Sequence, residues 1–297
     1  MTMAFDRMRI FSRLPIRVHC WGGFGSQIFA CVIAKRLASL FPARKIVLIF
    51  HSSGVTRRTL EIPKGFTGDF TVLTQDDFRT SNAEENSIDP KFSTMSKILM
   101  FTTPLFERLG LLARLNTEKE FPELKACLYE VRGHYTQILL STEEVSWVTS
   151  CLAISATQEK GHTRSSIVLH LRLGDLLELK SKSHINLDRL SSAIKLVSPR
   201  GKITIFSDSE PCEVKDLLQD VFKGVEYRVE KENVIKVIQE GALSELFIGT
   251  NSKISLWIAI IRRGLSLGYT TLLPKEISTQ LETLTPEISN TPRTVQY

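Results

Sequence analysis

The chain has 297 residues, of which 42% are hydrophobic and 24% are charged, proportions typical of a globular protein long enough for two domains. Its net charge of +6 is mild and its basic residues are spread out, so nothing in the sequence supports a nucleic-acid-binding function. No apolar run reaches the about 18 residues of a transmembrane helix, and the basic N-terminus has no signal-peptide core. The basic balance suits an acidic small ligand or an anionic membrane surface. Peripheral membrane contact through residues 101–115 stays an alternative, although a core helix is favoured there.

The cysteines and the spacing of possible metal ligands indicate which cellular compartment and which cofactors to expect. The sequence holds 5 cysteines, Cys20, Cys31, Cys127, Cys151 and Cys212. Their odd number and apolar neighbours predict reduced, buried thiols of a cytoplasmic protein rather than a disulfide framework. No His or Cys spacing typical of a metal site occurs, so we expect neither a metal nor another resident cofactor.

The first half of the chain begins with a strand, a glycine loop, a helix and a second strand. Residues 16–21 predict the first strand, GGFGS over 22–26 the loop, about 27–40 the helix and 45–51 the second strand. This order is Rossmann-like. Next we predict loops with short strands over 53–90, a mostly helical segment over 92–115, a strand over 126–131 and a helix over 142–156.

The second half repeats the same alternation after a polar stretch at 158–165, which we interpret as a linker. We predict strands at 167–171, 202–206, 226–229 and 246–248, and helices at 187–196, 213–221, 234–241 and 253–263. The segment 277–297, rich in Thr, Pro and Asn, is expected to be a tail or a final packing arm. The sequence thus predicts an α/β protein of two Rossmann-like domains facing a cleft, residues 1–160 and 161–297.

Polar residues follow several predicted strands of the second half. His170 and Arg172 alternate along one strand and therefore point to the same face. A guanidinium at the carboxyl end of such a strand suits a phosphate-bearing ligand, and Asp208 follows the next strand. Structural alternatives explain the same residues: an Arg172–Asp175 salt bridge, turn-forming Ser and Asp, and a capped helix start after Gly249.

The glycine loop after the first strand is the other candidate site. Gly23 and Gly25 would let the main chain approach a ligand closely, and the following helix N-terminus favours an anion. The loop is no dinucleotide fingerprint. The alternative is a tight turn in which Ser26 caps the helix.

Segments spread over nearly the whole chain resemble, in the same order, those of the α-1,2-fucosyltransferases of bacterial surface polysaccharides and blood-group H antigen. They are GGFGSQIFACVIAKRL (22–37), RGHYTQ (132–137), HLRLGD (170–175), FSDS (206–209) and GTNSKISLWIAI (249–260). HLRLGD is similar to the HxRRGD motif shared by several classes of fucosyltransferase. The resemblance implies an inverting glycosyltransferase of the GT-B arrangement. It would transfer L-fucose from GDP-fucose to a glycan hydroxyl, expected to be O-2 of galactose, without a required metal.

The resemblance also implies roles for individual residues. Arg172 would hold the diphosphate and stabilise the negative charge on the departing GDP. Asp208 and His170 would contact the guanosine. The residues lining the phosphate end would be Thr250, Asn251 and Ser252. From the first half, the loop with Gly23, Gly25 and Ser26 would face the donor, and Ser26 would take part in catalysis.

Some positions depart from the family pattern. Leu173 replaces the second Arg of the motif, Ser26 replaces an Asn, Ser209 an Asp and Leu256 a Trp. These departures leave open a transferase that uses another GDP-sugar, or a GDP-sugar-binding protein with lost or altered activity. The sequence identifies no acceptor, general base or oligomeric state. We expect a cytoplasmic enzyme of glycan assembly.

Overall fold

The computed structural model describes residues 14–52, 59–75, 104–115, 128–155, 166–173, 186–197, 201–288 and 293–297. Contacts divide the chain into two compact units, Met1–Leu139 and Leu140–Tyr297. This division lies before the boundary that the sequence predicts at residue 160. The polar stretch at 158–165, which suggested that boundary, lies outside the described residues. The earlier division has a packing reason, because a Cβ on Gly264 would lie only 2.7 Å from Val145 Cγ1. The helix that carries Val145 therefore packs in the second unit.

The first unit is built on a parallel sheet. Its strands are β1 (Ile16–Trp21), β2 (Ile46–His51), β3 (Thr71–Gln75), β4 (Leu112–Arg114) and β5 (Glu130–Arg132). They lie in the order β3-β2-β1-β5-β4, and every pairing is parallel. All residues of β2 are buried, as expected for a strand inside such a sheet. Helix α1 (Phe24–Leu40) connects β1 to β2, and a 3-10 turn (Lys64–Thr67) precedes β3.

The second unit is built on a second parallel sheet. Its strands are β6 (Ile167–Leu171), β7 (Ile203–Ser207), β8 (Tyr227–Glu230), β9 (Leu246–Ile248), β10 (Thr270–Leu273) and β11 (Thr294–Gln296). They lie in the order β11-β10-β9-β6-β7-β8, with all pairs parallel. The helices are α2 (Thr142–Cys151), α3 (Leu187–Val197), α4 (Pro211–Leu218), α5 (Val234–Leu243), α6 (Lys253–Leu265) and α7 (Lys275–Leu284).

The side chains of β6 alternate between the two faces of this sheet. Ile167, Leu169 and Leu171 belong to one buried cluster, which also contains Leu190 of α3 and Val214 of α4. Burying side chains of this size contributes about 1.5–3 kcal/mol each. The intervening residues of β6 therefore face the opposite side of the sheet.

The predicted fold class, two Rossmann-like α/β domains of the kind that make up a GT-B protein, is confirmed by these two parallel sheets. Predicted strands at 16–21, 167–171 and 246–248 coincide with β1, β6 and β9. Continuous apolar runs made β6 and β9 recognisable, because strands of a parallel sheet are covered on both faces.

Of the two expectations for residues 277–297, the tail is wrong and the final packing arm is confirmed. The segment supplies α7 and the edge strand β11, which pairs with β10. Ile277, Leu281 and Leu284 recur at helical spacing and are buried, a periodicity obscured in the sequence by the surrounding Thr, Pro and Asn. The hydroxyl of Tyr297 donates to the carbonyl of Gly249 at 2.6 Å, so this segment is part of the second unit.

Two further predictions need correction. The segment 92–115 is described from residue 104 onward, where it is helical only at 104–108 and then forms β4. Buried thiols are confirmed for Cys20 and Cys31, whereas Cys151 is half-buried, Cys212 is exposed and Cys127 lies outside the described residues. Among the helices that the structure describes, none is long and apolar enough to cross a membrane.

A buried arginine holds the end of α5 against the sheet. Arg262 of α6 is 2% exposed. Its guanidinium donates to the carbonyls of Gly241 at 2.9 Å, Ser244 at 2.6 Å and Thr270 at 2.9 Å, and to the hydroxyl of Thr271 at 2.8 Å. A cation at a helix C-terminus also compensates the helix dipole.

We expect Arg262→Met to lower the free energy of unfolding by about 2–4 kcal/mol, because the substitution leaves several buried carbonyls without a donor. Urea denaturation followed by circular dichroism measures this. The matched control is Arg293→Met, the same chemical change at an exposed arginine, which should alter stability by less than about 0.5 kcal/mol. Equal effects of the two substitutions would contradict the structural role of Arg262.

Candidate functional site

The residues selected from the second half of the sequence meet where the sheet reverses its winding. From β6 the chain proceeds to β7 and β8 on one side, whereas β9, β10 and β11 lie on the other. The point between β6 and β9 is thus a topological switch point, where open α/β sheets bind ligands beyond the carboxyl ends of their strands. Arg172 directly follows β6, and Thr250 and Ser252 follow β9.

Thr250 joins the ends of these two strands. Its hydroxyl donates to the carbonyl of His170 at 3.0 Å and accepts from the backbone N–H of Arg172 at 3.3 Å. Its own backbone N–H donates to the Ser255 hydroxyl at 3.0 Å. Thr250 is 1% exposed. Its hydroxyl therefore braces the loops, and its predicted role at the phosphate end stays a prediction.

His170 lies under the N-terminus of α6 and is joined to two serines. Its Nδ1 is 2.8 Å from the Ser255 hydroxyl and 3.3 Å from the Ser252 hydroxyl. Ser252 is the N-cap of α6 and accepts from the backbone N–H of Ser255 at 3.0 Å. The capped helix start considered from the sequence is thus present. Through its contacts with the two serines, the histidine also fixes the position of this N-terminus relative to β6.

The burial of His170 keeps its ring neutral. Burial lowers its pKa from 6.5 to about 4; the Asp208 carboxylate opposes this shift, and the Arg172 guanidinium adds to it. A neutral imidazole can exchange hydrogen bonds with both serines without placing a second positive charge beside the guanidinium.

This burial predicts a pH-dependent stability. Between pH 6.5 and pH 4 the unfolded chain protonates His170 and the folded chain does not, so stability falls as the pH falls through this range. The expected loss is about 3 kcal/mol. Urea denaturation at several pH values, compared between the wild type and His170→Gln, isolates this contribution. Identical pH dependence in the two proteins would contradict it.

The loop after β7 is tied to the loop after β6. Asp208 is exposed, and its Oδ1 accepts from the backbone N–H of Leu173 at 2.9 Å. The side chain of Leu173 is 5% exposed and belongs to the cluster containing Leu169 and Leu171. Leu173 thus points into the core, on the face opposite His170. Asp208 directly follows β7 and therefore lies at the carboxyl edge of the sheet.

Arg172 and Asn251 complete the edge. Arg172 is half-buried, its backbone N–H is held by the Thr250 hydroxyl just before α6, and its charge adds to the lowering of the His170 pKa. Asn251 is exposed at the tip of the loop before α6. Both predicted residues thus border the N-terminus of α6, an environment that favours anions.

In the first unit, the glycine loop is shorter than the sequence suggests. Helix α1 begins at Phe24, its N-cap is Gly23, and the backbone N–H of Ser26 donates to the Gly23 carbonyl at 2.9 Å. The prediction of Ser26 as N-cap is wrong, because this hydrogen bond places it inside the first turn beside the buried Gly25. Gly22 has φ +97°, the left-handed conformation that favours glycine. A Cβ on Gly23 would meet nothing within 4 Å, so the main chain there is open to approach.

Gln27, quoted in the loop motif but given no role, is a structural brace. It is fully buried. Its amide donates to the Thr59 carbonyl at 2.8 Å and accepts from the backbone N–H of Glu61 at 2.9 Å. Ser255 was likewise missed, although its place in the hydroxyl-rich run GTNSKIS is a signal that could have identified it. Gly23, Gly25 and Ser26 belong to the first unit, and their predicted role toward the donor stays a prediction.

Among the described residues, no group of three or more His, Cys, Asp or Glu side chains could hold a metal ion.

No protein-family model matches the sequence, and no curated protein matches it either. The chain is similar to the E. coli heptosyltransferase WaaC with ADP at TM-score 0.44 and 11% identity, over 95% of this chain and 93% of that chain. It is similar to a family 9 glycosyl transferase from Veillonella parvula at TM-score 0.45 and 10% identity, over 96% and 86%. It is similar to the NodZ α-1,6-fucosyltransferase soaked with GDP-fucose at TM-score 0.39 and 15% identity, over 92% and 93%. At such values the likeness assigns no activity to this chain.

Proposed function

We propose that this protein is a glycosyltransferase whose second unit binds a nucleoside diphosphate sugar at the switch point between β6 and β9. The observation that carries the proposal is the arrangement of Arg172, the N-terminus of α6 and the Asp208 carboxylate at one carboxyl edge of a parallel sheet. A cation and a helix N-terminus provide a binding surface for a diphosphate, and a carboxylate accepts hydrogen bonds from a base or a sugar hydroxyl.

The residues have distinct roles in this proposal. Arg172 binds the diphosphate and stabilises the charge that builds as the nucleotide leaves, which requires no metal ion. Asn251 and the backbone N–H groups at the start of α6 contact the phosphates. Thr250 and Ser252 hold that loop in position through the hydrogen bonds described above. His170 orders the same N-terminus, and its assignment to the guanosine together with Asp208 rests on the family resemblance.

The finer assignment is an inverting transfer of L-fucose from GDP-fucose to a glycan hydroxyl, O-2 of galactose. It rests on the resemblance of HLRLGD and the accompanying segments to fucosyltransferases. The alternative is a GDP-sugar-binding protein with lost or altered activity, or a transferase for another GDP-sugar, suggested by Leu173 and Ser26. Because Leu173 lies in the core, its lack of a guanidinium does not by itself remove a group from the ligand surface.

Thermal unfolding of the protein with GDP, UDP, GDP-fucose, GDP-mannose or NAD tests the nucleotide class. A ligand present at 100 times its Kd stabilises the folded state by about 2.7 kcal/mol. We expect stabilisation by GDP and its sugars and none by UDP or NAD. No stabilisation by any guanine nucleotide would contradict the proposal. Turnover of GDP-fucose with an acceptor glycan, or its slow hydrolysis, distinguishes an active transferase from a binding protein.

A further inference from the structure

The loop that precedes α6 begins with a peptide group that is held at both ends. The carbonyl of Gly249 accepts a hydrogen bond from the Tyr297 hydroxyl at 2.6 Å, and the N–H of the next residue, Thr250, donates to the Ser255 hydroxyl at 3.0 Å. These two backbone groups belong to one planar peptide unit. Its orientation is therefore fixed from two directions, by the residue that follows β11 and by the first turn of α6.

A proline explains why a side chain is needed at this point. In the ladder between β9 and β10, the N–H of Gly249 donates to the Leu272 carbonyl at 2.9 Å. Successive hydrogen bonds of a parallel ladder alternate between the two strands, so the next one would run from the N–H of residue 274 to the Gly249 carbonyl. That residue is Pro274, which has no N–H. The Tyr297 hydroxyl thus takes the place of a missing backbone donor.

Both partners of this hydrogen bond are confined by their surroundings. Gly249 is buried, and a Cβ there would lie 2.8 Å from Leu273 Cδ2 and 2.9 Å from Ser255 Cβ. The N–H of Tyr297 donates to the Leu273 carbonyl at 3.0 Å, and its carbonyl accepts from the N–H of Lys275 at 3.2 Å. The Tyr297 side chain also packs against the buried cluster of this unit. The hydroxyl therefore reaches Gly249 from a fixed position.

The hydroxyl of Tyr297 keeps its hydrogen. Burial raises the pKa of Tyr297 above its usual value, and the negative charge of Glu276 raises it further. A carbonyl oxygen can only accept a hydrogen bond, so a neutral, donating hydroxyl is the form that this contact requires.

The same peptide unit leads directly to the candidate nucleotide site. The Thr250 hydroxyl donates to the His170 carbonyl at 3.0 Å and accepts from the backbone N–H of Arg172 at 3.3 Å. Rotation of the peptide between Gly249 and Thr250 would change the backbone angles of both residues and would move this hydroxyl. Holding that peptide therefore also holds the main chain of Arg172 relative to the loop before α6.

We propose that Tyr297 is a positioning residue of the nucleotide site, whose hydroxyl keeps the Gly249–Thr250 peptide in the orientation that binds a nucleoside diphosphate. This inference rests on the proposed transferase function and adds to its site a residue from outside the segments that resemble fucosyltransferases. Tyr297 contacts no ligand in this role. It acts through the main chain of Gly249 and Thr250.

The first test needs no ligand and uses ¹⁵N relaxation of the full-length protein. Tyr297→Phe keeps the ring and removes only the hydroxyl. We expect the order parameters of the Thr250 and Arg172 amides to fall from the about 0.85 of a rigid backbone toward the about 0.6 of a flexible one. A variant that was only less stable would keep the wild-type order parameters in its folded state. Unchanged order parameters at both amides would overturn the proposal.

The second test measures the Kd for GDP by calorimetry, at a temperature where circular dichroism shows each variant folded. Tyr297→Phe should weaken GDP binding about 3- to 10-fold, because loss of one hydrogen bond lowers the population of the binding-competent loop. The matched control is Tyr227→Phe, the same chemical change in β8 at the opposite edge of the sheet, where the ring lies 5.1 Å from that of Phe222. This control should keep the wild-type Kd.

Restoring the donor separates the hydrogen bond from the packing of the ring. Incorporation of 4-aminophenylalanine in place of Tyr297 provides an N–H donor at the same place and should recover most of the affinity lost in Tyr297→Phe. Wild-type GDP affinity in a folded Tyr297→Phe protein would overturn the proposal, as would equal losses in Tyr297→Phe and Tyr227→Phe. Lack of GDP binding by the wild type would instead contradict the proposed function, and the relaxation experiment would still decide whether Tyr297 holds the peptide.

Discussion

Arg172→Ala is expected to weaken GDP binding about 10- to 150-fold, the loss of about 1.5–3 kcal/mol that follows removal of a charged hydrogen-bond donor. The main chain that carries this guanidinium is held in place, because the backbone N–H of Arg172 donates to the Thr250 hydroxyl at 3.3 Å. If the same side chain stabilises the departing diphosphate, kcat falls by a further factor of about 10²–10³. Isothermal titration calorimetry with GDP and initial rates with the nucleotide sugar measure the two effects separately.

Two variants make this result specific. Arg228→Ala changes an exposed arginine of the same unit that pairs with Glu230 at 3.0 Å, and it should leave the GDP affinity unchanged. Arg172→Lys keeps the charge but loses the planar fork that binds phosphate oxygens in pairs, so its affinity should fall between those of the wild type and Arg172→Ala. Equal Kd and equal rate in Arg172→Ala and the wild type would remove Arg172 from the site.

Leu173→Arg is expected to lower the free energy of unfolding by about 3–5 kcal/mol, the usual cost of an unpaired buried charge, without raising GDP affinity. This substitution introduces the guanidinium that the related motif carries at the same place. In this chain the Leu173 side chain packs with Leu169 and Leu171, and only its backbone N–H faces Asp208. A charged side chain there would lie in the core instead of beside Arg172.

The control for this prediction is Leu173→Met, which nearly conserves volume and should cost less than about 1.5 kcal/mol. Urea denaturation and GDP titration of both variants separate a packing defect from a ligand effect. A Leu173→Arg protein that is as stable as the wild type and binds GDP more tightly would mean that position 173 faces the ligand. The departure from the motif would then be a change in donor recognition.

The sequence was sufficient where one physical signal dominated. Continuous apolar runs predicted β6 and β9, because parallel strands are covered on both faces. Alternation along β6 placed His170 and Arg172 on one face, since successive side chains of a strand point to opposite sides. The same rule, applied one residue further, places the Leu173 side chain in the core. The sequence alone could therefore have predicted that Leu in place of the second Arg of the motif does not face the ligand.

Signals were weaker where composition and periodicity disagreed. Helix α7 lies in a segment rich in Thr and Pro, and its apolar positions Ile277, Leu281 and Leu284 became informative only through their burial. The start of α1 was misplaced because Gly23 caps that helix with its carbonyl and not with a side chain, so the expected Ser26 cap was not used.

The sequence alone therefore determined the strand–helix alternation of two Rossmann-like domains and the residues at the carboxyl ends of β6, β7 and β9. Only the tertiary structure decided which of those polar groups are engaged internally. The Thr250 hydroxyl and the His170 ring are used by partners about 80 residues away in the chain, at 3.0 Å and 2.8 Å, and no local pattern encodes such distant pairings. The same holds for the contact of His19 with His51, since strand register, and not sequence distance, brings their rings together.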